Sequence, residues 1–104
     1  MLVYKGVYGF DGVFYSKWNP QFEYRVGKIA RSPKGIYAVT PDNLSYALNF
    51  IGTDMGEQVT FLEMSVNKRD ITSNSNGIVI ASKALVTKEV PYEEFRKLIG
   101  KGRH

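Results

Sequence analysis

The chain has 104 residues, 43% hydrophobic and 23% charged, with fourteen Lys and Arg against ten Asp and Glu and a formal net charge of +4. That makes one globular domain with no room for a second, and it excludes a disordered chain, a collagen-like repeat and a coiled coil. There is no cysteine, which removes disulfide frameworks, thiol catalysis and Cys-based metal sites, and the one histidine is the final residue, His104, which argues against a Ser-His-Asp triad, a zinc hydrolase or a His-based ribonuclease.

Leu2 to Tyr8 mixes aromatic and β-branched residues and closes on Gly9, the pattern of a strand. Val13–Tyr15 predicts a short second strand or part of a loop, and Ser16 to Gln21, with Trp18, Asn19 and Pro20, a turn-rich connection. Phe22 to Val26 alternates apolar and polar residues before Gly27 and predicts a half-exposed strand. Ser32-Pro33-Lys34-Gly35 carries turn chemistry, and Gly35 to Thr40 follows as a short apolar strand.

Thr40 can cap a helix, Pro41 suits its first position, and Asp42 suits its positive end. Leu44, Ala47, Leu48 and Ile51 share one face at i, i+3, i+4, i+7, and Gly52 stops the helix. Thr53 to Gln58 reads as a polar loop. In the next strand, Gln58 to Val66, the apolar phase switches between Phe61 and Leu62, which requires either a bulge there or burial of both faces. Asn67 to Asn76 reads as a polar loop, and Gly77 to Val90 as a long β-rich run, half-exposed from Lys83 to Lys88. Pro91 opens a last helix with Glu93 and Glu94 in its first turn and basic residues near its end, and Tyr92, Phe95 and Ile99 form its apolar face. The fold expected is α+β: a single small domain over residues 1–100, about five mostly antiparallel strands and two short helices, with 101–104 a flexible basic tail. No segment approaches the roughly 18 consecutive apolar residues of a membrane span, and no secretory leader is visible, so a cytoplasmic location is expected.

The order of elements resembles that of ADP-ribosyltransferase-like domains. Tyr4-Lys5-Gly6-Val7 is similar to their opening Tyr-Arg-Gly-Val strand, and Gly35 to Thr40 with Ala47, Leu48 and Phe50 resembles their central Ser-Thr-Ser strand and Ala-x-x-Phe helix. Val59 to Val66 with Asp70-Ile71 resembles the strand and turn that follow. Phe22 to Gly27, Gly35 to Tyr37 and Ile80 to Glu89 also resemble a family of small uncharacterised phage and bacterial proteins that begin with a Tyr-Lys-Gly strand. The departures matter most. The family's arginine falls at Lys5, which lacks the bidentate fork, and the Ser-Thr-Ser strand is reduced to the hydroxyl of Thr40. The Glu-x-Glu position near Gly77 to Ala81 holds no carboxylate. The resemblance therefore implies a catalytically inactive version.

Several constellations compete with structural explanations. Arg25, Lys28, Arg31 and Lys34 place four cations in ten residues with no acid among them: a loop facing phosphate or an acidic protein, or a solvated loop. Fourteen aromatics, eight of them from Tyr4 to Tyr24, offer stacking or interface anchors or simply fill a core, and Trp18 beside a turn is the one expected near the surface. The Gly6 to Gly12 run lacks a phosphate-loop ending and reads as a flexible turn. Glu63 is a lone carboxylate, a general base only with a partner and otherwise a salt-bridge residue.

The function read from these features is a non-catalytic binding module, a phage-type inhibitor or modulator that uses a basic, aromatic surface to hold an acidic protein without any cofactor. The rival is a divergent transferase or nucleotide binder with Lys5, Thr40 and Glu63 around an NAD-like ligand. A nucleic-acid binder ranks third, because no RRM, KH or helix-turn-helix signature is present. If the basic stretch and Trp18 are not the interface, the 53–58 and 67–76 loops are the next candidates.

Overall fold

The computed structural model describes residues 1–10, 12–16, 22–50 and 59–101. Its strands are β1 (Leu2–Phe10), β2 (Val13–Tyr15), β3 (Glu23–Tyr24), β4 (Ile29–Val39), β5 (Val59–Ser65), β6 (Ile71–Ser75) and β7 (Ile78–Pro91). A 3₁₀ segment, η1 (Pro41–Phe50), follows β4, a single 3₁₀ turn spans Lys68–Asp70, and helix α1 (Tyr92–Lys101) closes the described chain. Among the described residues this is a small domain of antiparallel strands with two helices, and the sheet has seven strands rather than about five.

The strands close on themselves. β1 pairs with β5 from Leu2↔Ser65 to Tyr8↔Val59, β5 with β7, β7 with β4, and β4 returns to β1 at Tyr4↔Val39. β2 and β3 extend from the far end of β1, and β6 lies along the first half of β7. Closure gives the sheet an inside and an outside. Val3, Val7, Ile36, Ala38, Leu62, Met64, Val79 and Val86 fill the inside with Phe14 and Tyr24. Tyr4, Val39, Phe61 and Val90 face outward, where Ala47 of η1 and Phe95 of α1 cover them. Phe95 stacks on Phe61 with ring centroids 3.7 Å apart and planes 5° from parallel, and it meets Tyr4 edge-on.

The phase switch at Phe61–Leu62 is burial of both faces: Phe61 lies beneath the helices and Leu62 inside the ring. The irregularity is in the partner strand. Glu63 opposes Lys88 and Met64 opposes Val86, so Thr87 is the extra residue, and its hydroxyl donates to the Glu63 carbonyl at 2.8 Å. A second shift, between Arg31 and Ile36, occupies the Ser32-Pro33-Lys34-Gly35 segment. Those residues do not turn the chain between two strands but form a bulge within one long β4, with Pro33 at the interrupted ladder and Gly35 at φ +97 absorbing the bend.

Three other expectations change. The Gly6 to Gly12 run is not a loop: β1 continues through Gly9 to Phe10, and only Gly12 makes the turn into β2. η1 is a 3₁₀ segment broken at Asn43, where φ is −134° and ψ 35°, so Ala47 is fully buried while Leu44 and Leu48 are half-buried beside it. A period of three aligns Leu44 with Ala47 and moves Leu48 off that line. Asn67 to Asn76 is not all loop but contains β6, joined to β7 by Asn76 and Gly77 at φ 57 and 78. Two consecutive left-handed residues are the I′ hairpin turn that Asn-Gly favours. The predicted Ser16–Gln21 and Thr53–Gln58 connections fall largely or wholly outside the described residues, as does Ile51. No helix among the described residues is long and apolar enough to cross a membrane.

The Asn-Gly turn also anchors η1. The Asn43 side-chain amide donates to the Asn76 carbonyl at 3.3 Å, and a Cβ on Gly77 would lie 2.6–2.8 Å from Asn43 side-chain atoms. Gly77→Ala should therefore destabilise by about 1–2 kcal/mol from the left-handed backbone alone, with displacement of Asn43 in addition. Urea unfolding measures it, and an unchanged midpoint would mean that the turn does not hold η1 to the hairpin.

Candidate functional site

Lys5 points into the ring between Val3 and Val7, and it is 5% exposed. Its ammonium donates to the Tyr37 carbonyl at 2.8 Å. β1 and β4 share only the Tyr4↔Val39 pair, so the strands splay beside Tyr37, and the Lys5 side chain supplies a donor to that carbonyl. Burial lowers the Lys5 pKa from 10.5 to about 8. Burial also raises the Tyr24 and Tyr4 hydroxyls, with Glu63 adding to the effect on Tyr4.

Thr40 ends β4. Its amide donates to the Gly77 carbonyl at 3.0 Å, and its hydroxyl contacts the Asp42 carboxylate and the Gly77 carbonyl. Glu63 faces outward at the margin of α1. It accepts from the Tyr4 hydroxyl at 3.1 Å and the Thr87 hydroxyl at 2.9 Å, so its partners are hydroxyls rather than the expected cation. Lys5, Thr40 and Glu63 lie on neighbouring strands but point to different faces, and each is engaged with a different partner.

Arg25, Lys28, Arg31 and Lys34 are all exposed. Arg25 is 3.4 Å from Glu23 in an exposed pair, which contributes little. Lys28 lies at the turn into β4, where its carbonyl accepts from Val86. Arg31 lies directly opposite Lys83 on β7. Like charges facing each other across a ladder are destabilising, and no carboxylate pairs with either among the described residues.

Two residues before Arg31, on the same outer face, Ile29 opposes Leu85. Leu85 is also opposite Ser65, and Ser65 opposite Leu2. Leu2, Ser65, Leu85 and Ile29 therefore form one row across four strands. Ile29 is 53% exposed, Leu2 46% and Leu85 40%, with exposed Val26 nearby. This is the half of the outer face that α1 and η1 leave open. The row was not foreseen, because the pairing of Leu85 with both Ile29 and Ser65 depends on the register shifts at the β4 bulge and at Thr87; only the alternation of Ile29 with Ala30 and Arg31 hints at it.

Of the aromatics in the first quarter, Tyr4, Phe14 and Tyr24 are buried in the core and Phe22 packs against it, while Tyr8 and Tyr15 are half-buried, so core packing accounts for four of these. Trp18 lies outside the described residues. Compared with protein-family models, curated proteins and solved structures, the chain matches none. The site's chemistry has to carry the functional reading.

Lys5 has a measurable consequence. Because its folded pKa lies below its unfolded one, the unfolded chain binds more protons between about pH 8 and 10, and stability rises with pH across that window. The full shift corresponds to about 3 kcal/mol. Above pH 10 the raised tyrosines reverse the trend, since the unfolded chain then loses protons first. Urea midpoints from pH 7 to 10 should climb in the parent and stay flat in Lys5→Met. Equal slopes in the two proteins would assign the proton to another group.

Proposed function

We propose that this protein is a non-catalytic binding module that holds an acidic surface of another protein and so modulates or inhibits it. The observation that carries the reading is the Arg31–Lys83 pair beside the exposed Ile29–Leu85 pair. Uncompensated like charge next to uncovered apolar surface costs stability in the free protein, and a partner supplying carboxylates and apolar side chains would relieve both. Lys28 extends the positive rim.

An ADP-ribosyltransferase-like scaffold belongs to this proposal as ancestry, supported by the Tyr4 to Val7 strand and the passage from β4 through Thr40 into η1. The nucleotide-binding reading draws no comparable support, because Lys5, Thr40 and Glu63 do not converge on one space.

The test begins with affinity capture from the organism of origin. Association of the captured protein should slow as salt rises, because exposed charges steer encounter. Lys28→Glu with Arg31→Glu should slow it further and leave folding intact, both side chains being exposed. Association insensitive to salt and to the double substitution would remove this face from the interface. Transfer of label from NAD to proteins by the purified chain would replace the reading with an enzymatic one.

A further inference from the structure

The occupant of the open face can be specified further, resting on the binding reading above. We infer that the row Leu2–Ser65–Leu85–Ile29 receives one amphipathic helix of the partner, with acidic residues flanking its apolar stripe. The fold already solves the same problem once. On β5, Phe61, Glu63 and Ser65 face outward in succession; α1 covers Phe61 through Phe95, and Ser65 belongs to the open row. Four residues of strand separate Phe61 from Ser65, about 13 Å. Packed helices lie about 8–10 Å apart, so a second helix fits beside α1 on the same sheet.

The length of the row agrees. It crosses four strands spaced about 4.8 Å, or about 14 Å in all. A helix lying along it beside α1 covers that length in about ten residues. At the seam, a hollow of about 250 Å³ is lined by Tyr4, Lys88, Val90, Glu94, Lys97 and Leu98. Tyr4 and Lys88 flank Glu63 in register, one outward position along the strands from the row, so a second helix beside α1 would lie against this hollow.

Charge selects an acidic helix over a basic or neutral one. Arg31 and Lys83 border one side of the row, Lys28 the end near Ile29, and Lys88 the seam. The nearby acids are fewer. Glu23 pairs with Arg25, Glu63 accepts two hydroxyls, Glu94 lines the seam hollow with Lys88 and Lys97, and the backbone carbonyl of half-buried Asp70 accepts from Ser82. A flat acidic surface would meet the cations but leave the apolar row against polar groups, whereas a helix with a stripe at i, i+3, i+4, i+7 answers both.

The probe is a lactam-braced helical peptide of about four turns, leucines on one stripe and glutamates on both flanks, so that helix nucleation does not limit binding. A peptide of the same composition in scrambled order is the control, and fluorescence anisotropy with the full chain is the readout. The patterned peptide should bind saturably and at least about tenfold tighter than the scrambled one. Leu85→Ser and Arg31→Glu should each weaken it by about tenfold while circular dichroism stays unchanged, since both side chains are exposed. Equal binding of the two peptides, or binding indifferent to Leu85→Ser, would overturn the inference. Competition separates the two levels. If the captured protein depends on Arg31 but the patterned peptide does not displace it, the helix is wrong and the binding reading stands. If the captured protein is indifferent to Arg31 and to Leu85, both fall.

Discussion

Everything in this molecule depends on the pairing of β1 with β5, which turns an open sheet into a ring. Seven consecutive residue pairs, Leu2↔Ser65 to Tyr8↔Val59, join the first strand to the middle of the chain. Once closed, each strand contributes alternate residues to two different environments. Val3 and Val7 pack inside while Tyr4 between them turns out to meet Phe95, and Leu62 goes in while Phe61 goes out beneath α1. A small domain buries a modest fraction of its surface, and closure lets one set of strands build two apolar clusters.

Closure also explains the register shifts that β7 makes against β4 and β5. A ring of few strands bends sharply, and an extra residue at a bulge both bends the strand and exchanges its faces. Val79 and Ala81 lie inside; after the shift opposite the β4 bulge, Ala84 and Val86 do; after the extra residue at Thr87, Val90 faces out. One strand thus serves the interior along most of its length and the helix-covered exterior at its end. Lys5 belongs to the same account. Where β1 and β4 diverge, the ring loses its ladder, and a long polar side chain reaches across to Tyr37 at the cost of burying an amine.

Legibility in the sequence followed the range of the forces involved. Elements set by local chemistry were readable: the opening strand, α1 after Pro91 with its acidic first turn, the start of η1 at Pro41, and the two-faced burial offered as one explanation of the phase at Phe61–Leu62. The β6–β7 hairpin was also local and was passed over, because Ile71 to Ser75 is polar enough to look like loop; Asn76-Gly77 is the signal that identifies it. Ser32 to Gly35 failed for the opposite reason. Its residues have the chemistry of a turn, but pairing of β4 with β7 on both sides keeps the chain running forward, so the same chemistry makes a bulge. The exposure of the basic stretch followed from local pattern. Its neighbours Leu85, Lys83 and Leu2 come from distant strands, and only the registers bring them together.

The arrangement of that face is not what stability alone would select. Across β4 and β7, the inward pairs are small and apolar, as with Ala30↔Ala84, and satisfy the core. The outward pairs on either side of it are Ile29↔Leu85 and Arg31↔Lys83. Exchanging one member of each for an acid or a threonine would remove a like-charge contact and an uncovered apolar pair without touching the interior, because alternation separates the two faces. Elsewhere the same outer face is carefully completed: Phe95 covers Phe61, and two hydroxyls satisfy Glu63. The outer face is thus finished on one half and left charged and apolar on the other; the proposed partner would complete the second half, and α1 shows the form of cover that this sheet accepts.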